Sequence, residues 1–155
     1  MWLVAHETGV VELLLDNNAP EAGRLVIARD PKAVTDPTLG SPLDVLTGGV
    51  AGINGQAQPY LLDGLPSTYW RGRVDGAHSS FSTCVPQEDC VALWLAPQSV
   101  GLNIGVSHDI VIADLAGGDT LVVAATIPFG RFGLGPFANA FDEVLTTIDF
   151  GFPDN

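Results

Sequence analysis

The chain has 155 residues, of which 46% are hydrophobic and 15% charged, with 18 glycines and 11 prolines. That length and apolar content suit one domain with a buried core, spanning 1–155, and exclude a disordered tail. Eighteen acids against six bases give a net charge of −12, so the clustered Lys and Arg that nucleic acid or an anionic membrane surface requires are missing.

The first segment, "MWLVAHETGVVELLLDNN", is apolar but has no basic start and no small-residue cleavage site, so it is not expected to be a signal peptide. No apolar run reaches the roughly 18–20 residues that span a bilayer, and no membrane insertion is expected. Instead "WLVAHE" and "GVVELLLD" read as a hairpin turning at Thr8 and Gly9. "GRLVIARD" reads as a third strand broken at Asp30-Pro31, and "DPKAVTDPTLGSP" as loop. In "SPLDVLTGGVAGI", Ser41 and Pro42 form an N-cap and N1 pair. Leu43, Leu46, Val50 and Ile53 follow at helical spacing. Gly48 and Gly49 weaken such a helix by about 1 kcal/mol each, which predicts a short or broken one.

"QPYLLDGLPSTYWRGRVDG" predicts two strands around an Asp63-Gly64 turn. In the second, Tyr69, Arg71 and Arg73 share one face and Trp70 and Val74 the other. "CVALWLAP" is a further strand, stopped by Pro97. "DIVIADLA" and "DTLVVAATI" flank Gly117-Gly118 and predict a hairpin, apolar on both faces and therefore central in a covered sheet. The closing "GPFANAFDEVLTTIDF" predicts an amphipathic helix begun near Pro136, with Phe137, Phe141, Val144, Leu145 and Ile148 on one stripe and Asp142 and Glu143 facing water. The expected fold is α+β: an antiparallel β-sheet with an early short helix and a C-terminal amphipathic helix packed on it.

This order of elements resembles the Mog1/PsbP-like fold, in particular the secreted or lipoprotein-type actinobacterial domains that share it. The residues concerned are "YLLDGLPSTYWRGRVDG", similar to that fold's strand, D/G-G-L-P-A turn and second strand, and "DTLVVAATIPFGRFGLGPFANAFDEVLTTIDF", similar to its ending. "DPKAVTDP" and the helix after it resemble the preceding region, so the likeness runs over residues 24–151. It implies a binding or assembly factor rather than an enzyme, though fold alone does not carry function.

Few residues suggest chemistry. Cys84 and Cys90 are the only cysteines, and as a disulfide they would staple a strand–loop–strand connection with roughly 2 kcal/mol. Free thiols and a metal site are the alternatives. His78 and Asp89 could assist a metal, but zinc wants a second ligand pair, which the chain lacks. A disulfide implies an oxidising compartment, outside the cell or in its envelope. "HSS" (His78, Ser79, Ser80) and "SHD" (Ser107, His108, Asp109) do not make a triad, because strand neighbours point to opposite faces, and no G-x-S-x-G elbow is present. His108 is expected to cap the start of the strand at Ile110. Asp30, Asp36, Glu88 and Asp89 read as turn or loop acids, with no EF-hand pattern. "GGVAGING" lacks the Lys-Ser/Thr of a phosphate loop.

The candidate binding face is Tyr69, Arg71 and Arg73, which gathers two of six basic residues on one strand of an acidic protein. The plain alternative is that these arginines pair with acids across the sheet. The expectation is a non-catalytic, extracytoplasmic bacterial module that binds a protein partner, with no catalytic residues, no metal and no cofactor. The rival is a small-ligand carrier or an enzyme with a pocket between sheet and helix.

Overall fold

The structure is a computed structural model and describes residues 2–7, 10–14, 23–35, 38–75, 90–95, 99–127 and 134–148. In chain order its elements are β1 (Trp2–Glu7), β2 (Val10–Leu14), β3 (Arg24–Arg29), β4 (Lys32–Ala33), α1 (Pro42–Thr47), β5 (Ile53–Leu62), β6 (Leu65–Val74), β7 (Cys90–Leu95), β8 (Ser99–Asn103), β9 (Ser107–Asp114), β10 (Thr120–Ile127) and α2 (Leu134–Thr147). Seven strands form one antiparallel sheet in the order β1-β2-β3-β10-β9-β6-β5, and β4-β7-β8 form a second, three-stranded sheet. The class is α+β, as the alternation in the sequence predicts.

The period-2 alternation of the central strands sends their side chains to two cores. One face of the large sheet presents Val26, Ala28, Trp70, Val74, Ile110 and Val122. These pack against Val45 and Leu46 of α1 and against Val91, Leu93, Trp94, Val100 and Leu102 of the small sheet. The other face presents Leu25, Tyr69, Val111, Ala113, Leu121, Val123 and Ala125 to Phe141 and Leu145 of α2. Hence β9 and β10 are buried on both sides, as their two-faced apolarity requires.

Several expectations change in detail. The loop reading of "DPKAVTDPTLGSP" contains β4, which pairs with β7, and "SVGLN" is a strand, β8, that the sequence does not announce. The helix-only cover predicted for the sheet is therefore a mixed one, with the small sheet beside α1. A register shift between Ala92 and Trp94 turns Leu93 and Trp94 together into the core. Helix α1 has the predicted cap: Ser41 Oγ accepts from the Asp44 N–H at 3.2 Å and the Asp44 carboxylate accepts from the Ser41 N–H at 2.8 Å. The Ser41 hydroxyl, which donates to the Asp44 carboxylate at 2.7 Å, and then the Ser41 N–H hold the Asp44 carboxyl below its ordinary pKa. The buried residues of α1 are Pro42, Val45 and Leu46 rather than the Leu43, Leu46, Val50 stripe, because the helix stops at Thr47 and Ile53 already opens β5. The Gly117-Gly118 hairpin closes through residues 115–119, with both glycines at positive φ and Leu115 N–H bonded to Asp119 O, instead of a two-residue turn.

Two glycines serve a close approach. Gly55 and Gly72 face each other across β5 and β6, on the side where Trp70 lies. A Cβ on Gly55 would meet the indole at 2.3 Å, and one on Gly72 at 2.4 Å. The ring fills the space that the two missing side chains leave, and its Nε1 donates to the Leu46 carbonyl at 3.0 Å, tying α1 to the sheet.

Candidate functional site

The β5–β6 hairpin turns at Asp63 and Gly64, both at positive φ, as a two-residue turn between twisted strands requires. On β6 the residues after it alternate as predicted: Tyr69 joins the core under α2, while Trp70 and Val74 join the opposite core. Arg71 and Arg73 continue the Tyr69 side toward the open end of the sheet.

Register then brings an acid to Arg71. Arg71 lies directly opposite Asp109 of β9. Its Nε sits 2.5 Å from Asp109 Oδ1 and its terminal nitrogen donates to Oδ2 at 3.3 Å, a two-pronged contact. Tyr69 Oη donates to the same Oδ1 at 2.6 Å. The Asp109 side chain is 0% exposed, whereas that of Arg71 is 59% exposed. The carboxylate is thus buried with its partners supplied, and the guanidinium that neutralises it reaches out to solvent. Arg71 also stacks over the Tyr69 ring at 5.7 Å. That ring in turn lies 5.9 Å from Tyr60 and 6.3 Å from Phe141. Burial, then the bond to Asp109, push the Tyr69 phenol up, and the bond to Asp109 raises the Arg71 guanidinium further. Arg73 pairs with Asp75, Nε to Oδ1 at 2.6 Å. Asp75 also accepts from Asn54 Nδ2 at 2.7 Å.

In front of Arg71 lies a shallow open depression of about 590 Å³, lined by Ile53, Asn54, Gly55, Gln56 and Arg71. Among the described residues its side-chain polar groups are two amides and one guanidinium, which can hydrogen-bond a ligand.

The structure separates the other candidates. His108 and Asp109 point to opposite faces, as strand neighbours must, which removes a Ser107–His108–Asp109 triad. His108 does not cap the start of the Ile110 strand. It lies inside β9, 2% exposed, because its strand parity matches Ile110 and turns it into the core. Its Nε2 accepts from the Asn103 N–H at 2.9 Å, and Nδ1 lies 3.3 Å from Thr126 Oγ1. Burial pushes its pKa down to about 4, against a smaller opposing pull from the Asn103 backbone and Asp109. Cys90 opens β7 and is buried with Ala92 and Val34. Cys84, His78, Ser79, Ser80, Asp36, Glu88 and Asp89 lie outside the described residues. Among the described residues no cluster of three or more His, Cys, Asp or Glu is placed to hold a metal ion, and no helix is long and apolar enough to cross a membrane.

Sequence reasoning found Arg71 and Tyr69 but missed Asp109 as their partner. The signal was the "SHD" segment read in register: a lone acid at the start of an otherwise apolar central strand needs a cation beside it. Comparison with protein families, curated proteins and solved structures finds no match to this chain.

Proposed function

We propose that this protein is a non-catalytic, extracytoplasmic bacterial binding or accessory module that acts through protein contacts, with the Tyr69, Arg71 and Arg73 side of β6 as its contact face. The observation that carries this reading is the Arg71 clamp. A flexible, exposed arginine is a costly contact residue because binding must freeze it. Here Asp109 and the Tyr69 ring hold its guanidinium in advance, while more than half of the side chain stays open to a partner. Arginine anchors of this kind, next to aromatic and amide side chains, are typical of interface centres.

The interlayer space also favours a contact face over an internal pocket. Where the residues are described, Tyr69, Phe141 and Leu145 fill the gap between sheet and α2. The likeness to the Mog1/PsbP-like fold and the staple expected between Cys84 and Cys90 are compatible with this reading and belong to the same proposal.

The test is capture from an envelope extract of the source cells by wild type and by the Arg71→Ala/Arg73→Ala double variant. A partner held by wild type and lost by the double variant is expected. The same retained set for both proteins overturns the assignment of the face. A stoichiometric small molecule carried through purification and seen by native mass spectrometry overturns the binding-module reading in favour of a ligand carrier.

A further inference from the structure

The edge of the large sheet is left open in an unusual way. Strand β5 has ten residues, and among the described residues β6 is the only strand it pairs with. Every residue from Asn54 to Pro59 is exposed. Long edges are normally blunted by charge, brevity or a bulge. Strand β5 carries no charged residue at all in a chain of net charge −12, and only Pro59 interrupts it.

The direction of its free backbone groups follows from the turn. Leu62 and Leu65 flank the two-residue turn, so even-numbered β5 residues bond to β6 and odd-numbered ones point outward. Two observations agree: the Gly52 carbonyl accepts from Asp75 on the β6 side, and the Ile53 N–H, directed away from β6, goes to the Val50 carbonyl. Pro59 falls on an outward position, where its missing N–H leaves the β5–β6 ladder intact. The outward donors are therefore Gly55, Ala57 and Leu61. Gly55, Ala57, Pro59 and Leu61 offer their carbonyls, as does Ile53.

These groups complement themselves. We propose that β5 pairs antiparallel with β5 of a second copy of this chain, about a two-fold axis at Ala57. In that register Ala57 meets Ala57 of the second copy, Gly55 meets Pro59, and Ile53 meets Leu61. Ala57 donates to its counterpart, Gly55 to the Pro59 carbonyl and Leu61 to the Ile53 carbonyl, each twice by symmetry. Centring the axis on Gly55 or Gln56 leaves Leu61 without a partner. The apolar row Ala57, Pro59 and Leu61 is brought against its own copy, and Leu61, 67% exposed in the single chain, is covered. On the opposite face Gln56 lies beside Gln58 and Asn54 beside Tyr60, with no like charges opposed. Elsewhere two copies of so acidic a chain repel, which is what selects this neutral edge as the meeting line. The pairing is small, so the dimer is weak and strengthens as salt screens the remaining acids.

Sedimentation velocity over a concentration series, at about 0.05 M and about 0.5 M salt, reads the proposal. The expected result is a monomer–dimer equilibrium shifted toward dimer at the higher salt. Ala57→Pro deletes an outward donor at the parity where Pro59 is already accommodated, and Ala57→Lys places two cations on the axis. Each is expected to weaken dimerisation by about tenfold or more with far-UV circular dichroism unchanged. Register is read by mild oxidation of an equimolar mixture of Gln56→Cys and Gln58→Cys variants, with wild type as blank. These positions face each other at a non-hydrogen-bonded site, so the mixture forms a cross-linked dimer and either variant alone forms far less. A monomer at every concentration and salt overturns the proposal, as does a dimer that Ala57→Pro and Ala57→Lys leave intact. Equal cross-linking of the separate variants overturns the register. The Arg71 face is untouched in Ala57→Pro, so loss of dimer with retained partner capture separates this proposal from the functional one.

Discussion

Acidification is the sharpest perturbation for this fold, because His108 is held neutral inside the core shared by the two sheets. Nε2 is occupied as an acceptor by the Asn103 N–H, so a proton there would oppose two donors and place a charge among apolar side chains. The folded pKa of about 4 against 6.5 for an ordinary imidazole corresponds to about 3 kcal/mol when fully developed. The sign follows from proton counting. Between those two values the unfolded chain holds the proton and the folded chain does not, so unfolding takes up a proton and stability falls as pH falls. The contribution is whole above 6.5 and largely lost by about 4. From pH 6.5 to about 5, above most carboxylate titration, the expected loss from this residue is about 1.5 kcal/mol. Urea unfolding at each pH, followed by the fluorescence of the buried Trp70 and Trp94, measures it. In His108→Gln the amide oxygen can still accept from Asn103 and its nitrogen can still reach Thr126, but nothing titrates. The variant is expected to lose that slope even if its stability at neutral pH is lower. Equal slopes in the two proteins, or an imidazole in the folded protein that titrates near 6.5, would refute the reasoning.

Three further outcomes follow from the same geometry. Tyr69→Phe removes one donor from the buried Asp109 carboxylate and should cost about 1–3 kcal/mol in urea unfolding; no measurable loss would mean that water replaces the phenol. Gly55→Ala sets a methyl against the Trp70 ring and should cost about 1–3 kcal/mol or more, accompanied by a change in tryptophan emission; a neutral effect would contradict the close approach. Thiol titration of the denatured, unreduced chain should find no free thiol if Cys84 and Cys90 are joined, whereas two free thiols would remove the staple and the compartment argument with it.

How far the sequence was legible depended on whether a segment's own pattern decided its state. The β5–β6 hairpin was readable because Asp63-Gly64 accepts a backbone that few residues adopt. Strands β9 and β10 were readable because only a doubly covered strand tolerates apolar side chains on both faces. Helix α2 was readable through Phe141, Val144, Leu145 and Ile148, and Asp142 and Glu143 are indeed exposed. By contrast, β4 has two residues and β8 holds a glycine, so their state is imposed by pairing with β7, which no local pattern records. The same limit applied to the site. Arg71 stood out by composition, but its partner depended on which β9 residue the register set opposite it.

That register decides what kind of contact the Arg71 face can make. Arg71 and Arg73 look like a basic patch in the sequence, yet Asp109 and Asp75 each neutralise one of them. A strongly anionic partner would therefore meet almost no net local attraction and the repulsion of a chain at −12. What remains on offer is directional: guanidinium N–H groups beyond those given to Asp109, the Gln56 and Asn54 amides, and the rim of an aromatic group. Such donors suit backbone carbonyls and neutral polar side chains, whose hydrogen bonds do not require a field to bring them in. Affinity gained that way should change little with salt. The β5 pairing, which brings two acidic bodies together, should strengthen with it. The two contacts therefore respond differently to salt for different reasons: the buried carboxylate cancels the Arg71 charge at one, and the net charge of −12 opposes the other at low salt.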